Sequence, residues 1–409
     1  MTTSPLPEAR PESVGLSAGR LGRIRDGLEQ EIAAGRLPGA VALVARRGRL
    51  AFSTTLGALD PARAVPVRAD AIFRIYSMTK PLVSVAALML MEEGRLQLSD
   101  AVETHLPGFR TPPVSVADGA RYSLVPASRP ITLHDLLTHS SGLAYGERSA
   151  NAPVREAQAR LGIAVNPREL AVSAFVERLA RVPLAHQPGT VWEYGLSTDL
   201  LGAVVEAVAG RTLGRFLDER IFAPLGLHDT GFHVDSARSG RLAQPFAIDP
   251  ATGAPPPVPA QTYDATQAPR MESGGAGALS TAADYLRFAQ MLLQGGVLDG
   301  VRLLSRASVA LMTADHLGTR IATPLPPGEA AMQTPGYGFG LGVAVRLADG
   351  LAVVPGSAGD YFWSGTAGTT FWVDPREQLV VVFMAQAPGP GRLRLRRLMR
   401  QLVYQAIDD

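Results

Sequence analysis

The chain lacks cysteine entirely, although it has 409 residues. Without thiols the protein can form no disulfide, no thiolate metal site and no cysteine nucleophile. It also lacks an apolar run of about 20 residues, the length that a membrane-spanning helix needs. Its polar, proline-containing start has neither the basic nor the apolar region of a secretory signal. We therefore expect a soluble, cytoplasmic protein.

An excess of charge of either sign is also missing. Charged residues make up 19% of the chain and apolar residues 46%, and the formal net charge is only +2. This is ordinary globular composition. It gives no reason to expect nucleic acid or a membrane surface as a partner. The oligomeric state is left open.

Lysine is almost absent. Of the 39 basic residues 38 are arginine, and the single lysine is Lys80. A GC-rich coding sequence would produce the same bias, so the bias alone indicates no function. Arginine stays protonated at any workable pH, whereas lysine can act as a base when burial and neighbouring charges lower its pKa. A chain that otherwise uses arginine would need lysine where a base is required.

Hydrophobic patterning predicts strands towards both ends of the chain and helices between them. Residues 17–35 and 393–407 are predicted as amphipathic helices, and residues 81–93 as a buried central helix. The predicted strands are residues 40–46, 50–55, 337–347, 351–354, 366–373 and 379–386. We predict an α+β fold in which residues 1–90 and 275–409 form an antiparallel-sheet domain. Residues 91–274 would be a mainly helical domain inserted into it.

Ser77 precedes Lys80 by three positions at the start of the predicted central helix. Residues three apart share a helix face, so the amine can reach the hydroxyl, which is a poor nucleophile until a neighbour takes its proton. A helix N-terminus also offers free N–H groups to an oxyanion. A serine stands three positions before a given lysine about one time in fifteen by chance. The pattern therefore gains its weight from lying on the sole lysine.

Two further segments carry candidate chemistry. Tyr194 stands at the entrance of a predicted helix, where its phenol could share a proton with Lys80. Taken alone, a half-buried loop tyrosine is the better interpretation. Residues 363–366, Trp-Ser-Gly-Thr, are predicted to start a strand. The glycine would allow close backbone approach, and an adjacent N–H could be an oxyanion donor. The alternative is a bulge glycine beside a packing tryptophan.

Together these segments resemble the motifs of the penicillin-recognising serine hydrolases. That superfamily includes class C β-lactamases, DD-peptidases and family VIII carboxylesterases. Ser77-Met78-Thr79-Lys80 looks like its first motif, and the resemblance runs from roughly residue 15 to the end of the chain. The supporting matches are Leu136-Leu137-Thr138-His139-Ser140-Ser141-Gly142-Leu143, Pro188-Gly189 before Tyr194, Leu201-Gly202, Pro224-Leu225-Gly226-Leu227 and Ser273-Gly274-Gly275-Ala276-Gly277.

The resemblance implies a five-stranded antiparallel sheet flanked by helices, with the active site between the sheet and the helical domain. It implies Ser77 as the nucleophile, with Lys80 and Tyr194 as general base and acid. The backbone N–H groups of Ser77 and Thr366 would form the oxyanion hole. The residues expected to contact substrate are Tyr145, Trp363, Ser364 and Gly365. No cofactor and no metal is implied.

Two departures from the family pattern favour the esterases. The third position of the tyrosine motif, asparagine in β-lactamases and DD-peptidases, is Leu196 here, and Trp363 replaces the lysine or histidine of their third motif. That cation normally grips the β-lactam carboxylate, whereas an apolar wall suits an uncharged ester. We predict cleavage of short-chain esters of small molecules through an acyl-enzyme. Acyl transfer, amide or weak β-lactam cleavage, and a non-catalytic structural role stay open.

Other patterns are set aside. Gly15-Leu16-Ser17-Ala18-Gly19 matches the G-x-S-x-G nucleophile elbow, but no strand precedes it. Ser17 is therefore predicted to cap a helix. The seven histidines lack metal-binding spacing. Of these, His139 is expected to hydrogen-bond within a loop and to support the site only indirectly.

Overall fold

The computed structural model describes residues 5–119, 121–244, 263–322, 336–389 and 391–409. The strands are β1 (Gly39–Arg46), β2 (Arg49–Asp60), β3 (Val65–Pro66), β4 (Phe73–Arg74), β5 (Val114–Asp118), β6 (Arg121–Val125), β7 (Leu279–Ser280), β8 (Val297–Leu298), β9 (Val301–Arg302), β10 (Tyr337–Phe339), β11 (Ala344–Arg346), β12 (Tyr361–Ser364), β13 (Thr370–Asp374) and β14 (Leu379–Ala385). The α-helices are α1 (Ala18–Ala33), α2 (Thr79–Glu92), α3 (Val102–His105), α4 (Leu133–Leu137), α5 (Ala152–Leu161), α6 (Val172–Leu179), α7 (Ser197–Ala209), α8 (Leu213–Leu217), α9 (Ala223–Leu225), α10 (Ala282–Leu293), α11 (Arg306–Met312) and α12 (Gly391–Tyr404).

An antiparallel sheet lies at the centre of the molecule. Among the described residues its order is β10-β11-β12-β13-β14-β1-β2-β3, so the prediction of five strands is wrong and this part of the chain contributes eight. The antiparallel α+β architecture is confirmed. β14 lies beside β1, with Ala40 opposite Ala385 and Arg46 opposite Leu379. The sheet is thus assembled from both ends of the chain, as the patterning indicates.

Glycine turns divide one of the predicted strands and shorten another. Residues 337–347, predicted as one strand, form β10 and β11 because the chain reverses at residues 340–343, where Gly342 has φ of 89°. Residues 366–369 form a turn rather than the start of a strand, and Gly368 within it has φ of 111°. The segment 363–366 therefore ends β12 and enters a hairpin. Residues 351–354 form bends and no strand.

Helices cover both faces of the sheet. All eight residues of β1 are buried, and because a strand alternates its sides, β1 contributes to two cores. Val44 packs with α1 and α12 on one face. Leu43 belongs to the larger core on the other face, together with α2, α7 and α10. Residues 79–90 of α2 are all buried, which confirms the predicted central helix.

Short helices make up most of the regular secondary structure in the middle of the chain. Residues 93–278 supply α3 to α9 and the small β5–β6 hairpin. One apolar core runs continuously from these helices to the sheet, and the division into two domains stays a prediction. Among the described residues, no helix is both long and apolar enough to cross a membrane.

Ser17 caps α1, as the sequence predicts. Its hydroxyl accepts a hydrogen bond from the backbone N–H of Arg20 at 3.3 Å. We expect Ser17→Ala to lower the free energy of unfolding by about 1 kcal/mol, because one helix N–H loses its acceptor. Urea denaturation measures this change. A nucleophilic Ser17 would instead show itself as a loss of catalysis at unchanged stability.

Candidate active site

Ser77 lies in a short 3-10 turn, Tyr76–Met78, that leads directly into α2. The turn is held from several sides. The Thr79 hydroxyl donates to the carbonyl of Tyr76 at 2.6 Å, and the Tyr285 phenol donates to the carbonyl of Met78 at 2.8 Å. Tyr76 has φ of 44°, the left-handed region that a β-carbon disfavours. The backbone of the half-buried Ser77 is thereby fixed at the start of a buried helix.

Lys80 lies entirely inside the protein, with 0% of its surface exposed. Its Nζ donates to the carbonyl of Gly275 at 2.7 Å and to the Tyr145 hydroxyl at 3.2 Å. The same nitrogen lies 4.4 Å from the centre of the Tyr194 ring. Within the part of the chain that the structure describes, it makes no hydrogen bond to Ser77. The hydrogen bonds of the amine are therefore directed to Gly275 and Tyr145 rather than to the Ser77 hydroxyl.

The surroundings of Lys80 favour a neutral amine. Burial lowers the pKa of Lys80 to about 7, with the Asp199 carboxylate acting to raise it and the Arg148 guanidinium to lower it further. An ordinary lysine has a pKa near about 10.4 and is almost fully protonated at neutral pH. Lys80 therefore exists in both forms near neutrality, as a proton-exchanging group requires.

Tyr194 lies beside Lys80 within a cluster of aromatic rings. Burial raises the pKa of its phenol, whereas the Ser77 and Trp363 side chains act to lower it. The phenolic oxygen is buried and forms no hydrogen bond of ordinary geometry with a described residue. The rings that pack against Tyr194 are His139, Tyr145, Trp192 and Trp363.

His139 packs against the segment that carries Tyr194. It is fully buried, and burial holds the pKa of its imidazole well below the usual value, so the ring is neutral. Its Nδ1 accepts from the N–H of Gly195 at 3.4 Å, and its Nε2 lies 3.4 Å from the Thr198 hydroxyl. His139 is thus in contact with the segment that carries Tyr194, in keeping with an indirect role.

The turn after β12 approaches the nucleophile segment closely. A β-carbon on Gly365 would lie 2.4 Å from the carbonyl oxygen of Ile75, two residues before Ser77. Only glycine permits this approach. Thr366 follows in the turn and is half-buried. Among the described residues its backbone N–H has no hydrogen-bond partner, as an oxyanion donor would require.

The remaining predicted substrate contacts have partners within the protein. Trp363 is 1% exposed, and its ring lies 5.5 Å from that of Tyr194, so it backs the tyrosine rather than forming an open wall. The Ser364 hydroxyl pairs with that of Thr370 at 2.8 Å across the hairpin. Tyr145 is buried against Lys80. Contact of these residues with substrate stays a prediction.

Three charged residues of the site are missed by sequence reasoning. Asp199 is buried in the first turn of α7, where an acidic residue is also the usual helix-start signal. Arg148 follows Tyr145 and its charge reaches Lys80. Arg396 comes from α12 and donates to the carbonyl of Gly365. The sequence signal nearest to these residues is the glycine pair at 274–275, because adjacent glycines permit close backbone approach. Gly275 contacts both Asp199 and Lys80. The described residues contain no cluster of three His, Asp or Glu side chains that could hold a metal ion.

Comparison with known proteins places this geometry in a family. An uncharacterized protein of Mycobacterium tuberculosis is 36% identical over 364 residues, which cover 86% of this chain and 86% of that protein. Esterase EstB of Burkholderia gladioli is 32% identical over 409 residues, covering 93% and 94% of the two chains. The structure of EstCE1, a hydrolase with promiscuous acyltransferase activity, has a TM-score of 0.80 at 31% identity, and the match covers 94% of this chain and 99% of EstCE1. The profile of the Beta-lactamase family matches residues 24–405. The chain therefore belongs to the Beta-lactamase family, which confirms the resemblance drawn from its motifs.

Proposed function

We propose that this protein is a serine esterase that cleaves short-chain carboxylic esters of small molecules through an acyl-enzyme on Ser77. One observation carries the proposal: the sole lysine is fully buried with its Nζ 4.4 Å from the centre of the Tyr194 ring, and this burial lowers the pKa of Lys80 to about 7. A lysine with a purely structural role would not be expected in the interior, because burial of its charge costs free energy of folding. The esterase relatives EstB and EstCE1 support the same reaction class.

The proposed reaction uses the site's proton-exchanging pair twice. Ser77 Oγ attacks the ester carbonyl while its proton passes to the pair formed by Tyr194 and Lys80. The negative charge that develops on the carbonyl oxygen is stabilised by the backbone N–H groups of Ser77 and Thr366. The pair then returns the proton to the leaving alkoxide, which departs as the alcohol. Water repeats the sequence on the acyl-enzyme and releases the acid.

The presence of Trp363 in place of the third-motif lysine or histidine supports an ester rather than a β-lactam as substrate. Trp363 stands where a β-lactamase presents its carboxylate-binding lysine or histidine, and it packs against Tyr194. Tyr145, Ser364 and Gly365 are proposed to border the acyl and alcohol groups. No cofactor takes part in the proposed steps.

Acyl transfer to an alcohol is a second candidate. It uses the same acyl-enzyme and replaces the attacking water by a hydroxyl of the acceptor. The specific observation in its favour is the description of EstCE1 as a hydrolase with promiscuous acyltransferase activity. Its test is the same assay with an added alcohol.

A substrate panel tests both candidates. We expect turnover of p-nitrophenyl acetate and butyrate, little or none of nitrocefin or an acyl anilide, and labelling of Ser77 by a fluorophosphonate probe. Ser77→Ala should lose about 10³-fold or more in kcat/KM. Added alcohol shows whether an ester product forms in place of the acid. Absence of ester turnover by the wild-type protein, or full activity of Ser77→Ala, contradicts the proposal.

A further inference from the structure

Asp199 is a buried carboxylate for which the reaction described above has no use. It lies in the first turn of α7 and is 0% exposed. Its Oδ1 accepts from the Ser273 hydroxyl at 2.5 Å and from the N–H of Gly275 at 3.1 Å. Its Oδ2 is buried and has no hydrogen-bond partner among the described residues. An unpaired carboxylate oxygen in the interior is costly unless a nearby positive charge compensates it.

The turn that Asp199 holds is the turn that holds Lys80. The carbonyl of Gly275 accepts from Lys80 Nζ at 2.7 Å, while the N–H of the same residue donates to Asp199. A β-carbon on Gly275 would lie 2.2 Å from Asp199 Oδ2, so the glycine lets the carboxylate approach this closely. One peptide segment therefore links the carboxylate to the amine.

The Lys80 amine and the Asp199 carboxylate influence each other's protonation. Five titratable or charged groups face Lys80. Asp199 lies on α7 and Tyr194 precedes that helix. His139, Tyr145 and Arg148 belong to the segment that follows α4. Burial keeps the histidine and the two tyrosines neutral by lowering the pKa of the imidazole and raising those of the phenols. Arg148 opposes protonation of Lys80 and Asp199 favours it. Burial in turn raises the pKa of Asp199, and Lys80 acts to lower it.

We propose that Asp199 is a positioning residue. Its Oδ1 anchors the turn whose carbonyl orients the Lys80 amine, and its negative charge sets the pH range over which that amine gains and loses its proton. The role in ester hydrolysis rests on the proposed function, whereas the control of the Lys80 proton does not. Removal of the Asp199 charge should make Lys80 lose its proton at a lower pH.

The single lysine allows a direct measurement. Protein labelled with carbon-13 at lysine Cε gives one lysine resonance, that of Lys80, which can be followed by NMR between about pH 5 and pH 10. We expect the wild-type midpoint at about 7. In Asp199→Asn it should fall by about one pH unit or more. The acidic limb of kcat/KM for p-nitrophenyl butyrate should move by the same amount at unchanged KM, because Asp199 does not touch substrate.

Asp284→Asn is the matched control. Asp284 is also a buried carboxylate in the first turn of a helix, and it accepts from the Asp229 N–H and the Thr230 hydroxyl, away from Lys80. Its replacement should leave the Lys80 midpoint where it is. Asp199→Ser, which also removes the charge but has a smaller side chain, replaces Asp199→Asn if the latter fails to fold by circular dichroism.

The outcomes separate the two proposals. An unchanged Lys80 midpoint in a folded Asp199 variant overturns the role of Asp199, whether or not esters are hydrolysed. An equal shift in Asp284→Asn overturns it too, because the effect would then be non-specific. A shift confined to the Asp199 variants, in a wild-type protein that hydrolyses no ester, supports the role of Asp199 and contradicts the esterase proposal.

Discussion

Replacing Lys80 with arginine is expected to reduce kcat/KM for ester hydrolysis by about 10³-fold, although the charge is retained. The guanidinium cannot be deprotonated at a workable pH, so it cannot receive the proton of Ser77. The wild-type rate should rise with pH through about 7, where Lys80 loses its proton. Lys80→Met, which keeps the length of the side chain but not the amine, should fall equally far. Stopped-time assays of p-nitrophenyl butyrate across the pH range measure both effects.

Ser84→Ala provides the control on the same helix. Ser84 is buried one turn after Lys80, and its hydroxyl has no hydrogen-bond partner among the described residues. Its removal should leave the rate and the pH profile unchanged. Retention of more than about a tenth of the wild-type rate by Lys80→Arg would show that proton transfer at this position contributes less than the usual factor for general base catalysis, and the proposed pair would be wrong.

Removing the carboxylate of Asp360 is expected to lower the free energy of unfolding by about 3–5 kcal/mol, because it breaks a buried ion pair. Asp360 is 0% exposed and lies just before β12. Its Oδ2 accepts from Arg346 Nε on β11 at 2.7 Å and from Arg400 Nη1 on α12 at 2.9 Å. The Tyr337 hydroxyl donates to Oδ1 at 3.0 Å. Asp360→Ala would leave two buried guanidinium groups without their counter-charge.

Urea unfolding of Asp360→Ala beside Asp349→Ala measures this effect. Asp349 pairs with Arg376 at 3.1 Å, but the two side chains are 57% and 67% exposed. Loss of that exposed pair should cost less than about 1 kcal/mol. Similar losses in the two variants would mean that burial adds nothing to the Asp360 cluster.

Much of the fold is readable from the sequence because its strongest elements are locally encoded. The apolar run at residues 81–93 corresponds to α2 (Thr79–Glu92), and the runs at 40–46 and 50–55 correspond to β1 and β2. The strand count is not readable in the same way. The patterning predicts no separate β12 and a single strand where β10 and β11 lie, because strands of three or four residues are too short to show an alternating pattern.

The residues of the candidate site also differ in how far the sequence predicts them. Ser77, Lys80 and Tyr194 carry fixed spacings and helix-start positions, so their grouping is predictable from motifs. Asp199 and Arg396 reach the site through tertiary packing of α7 and α12. Neither residue stands out in the sequence. An acidic residue in a first turn is expected from the helix dipole alone, and an arginine in a basic helix is expected to face solvent. Their chemistry arises only when distant segments meet.

The position of β14 beside β1 has a consequence for synthesis of the protein. β1 (Gly39–Arg46) emerges early and can pair with β2 at once, but its other edge is covered only by residues 379–385. Until those residues leave the ribosome, an apolar strand presents unpaired N–H and C=O groups that another nascent chain could bind. Closure of the sheet also requires contacts between residues very far apart in sequence, which slows folding. We therefore expect the unpaired edge of β1 to be the part of the first hairpin most prone to wrong pairing during translation.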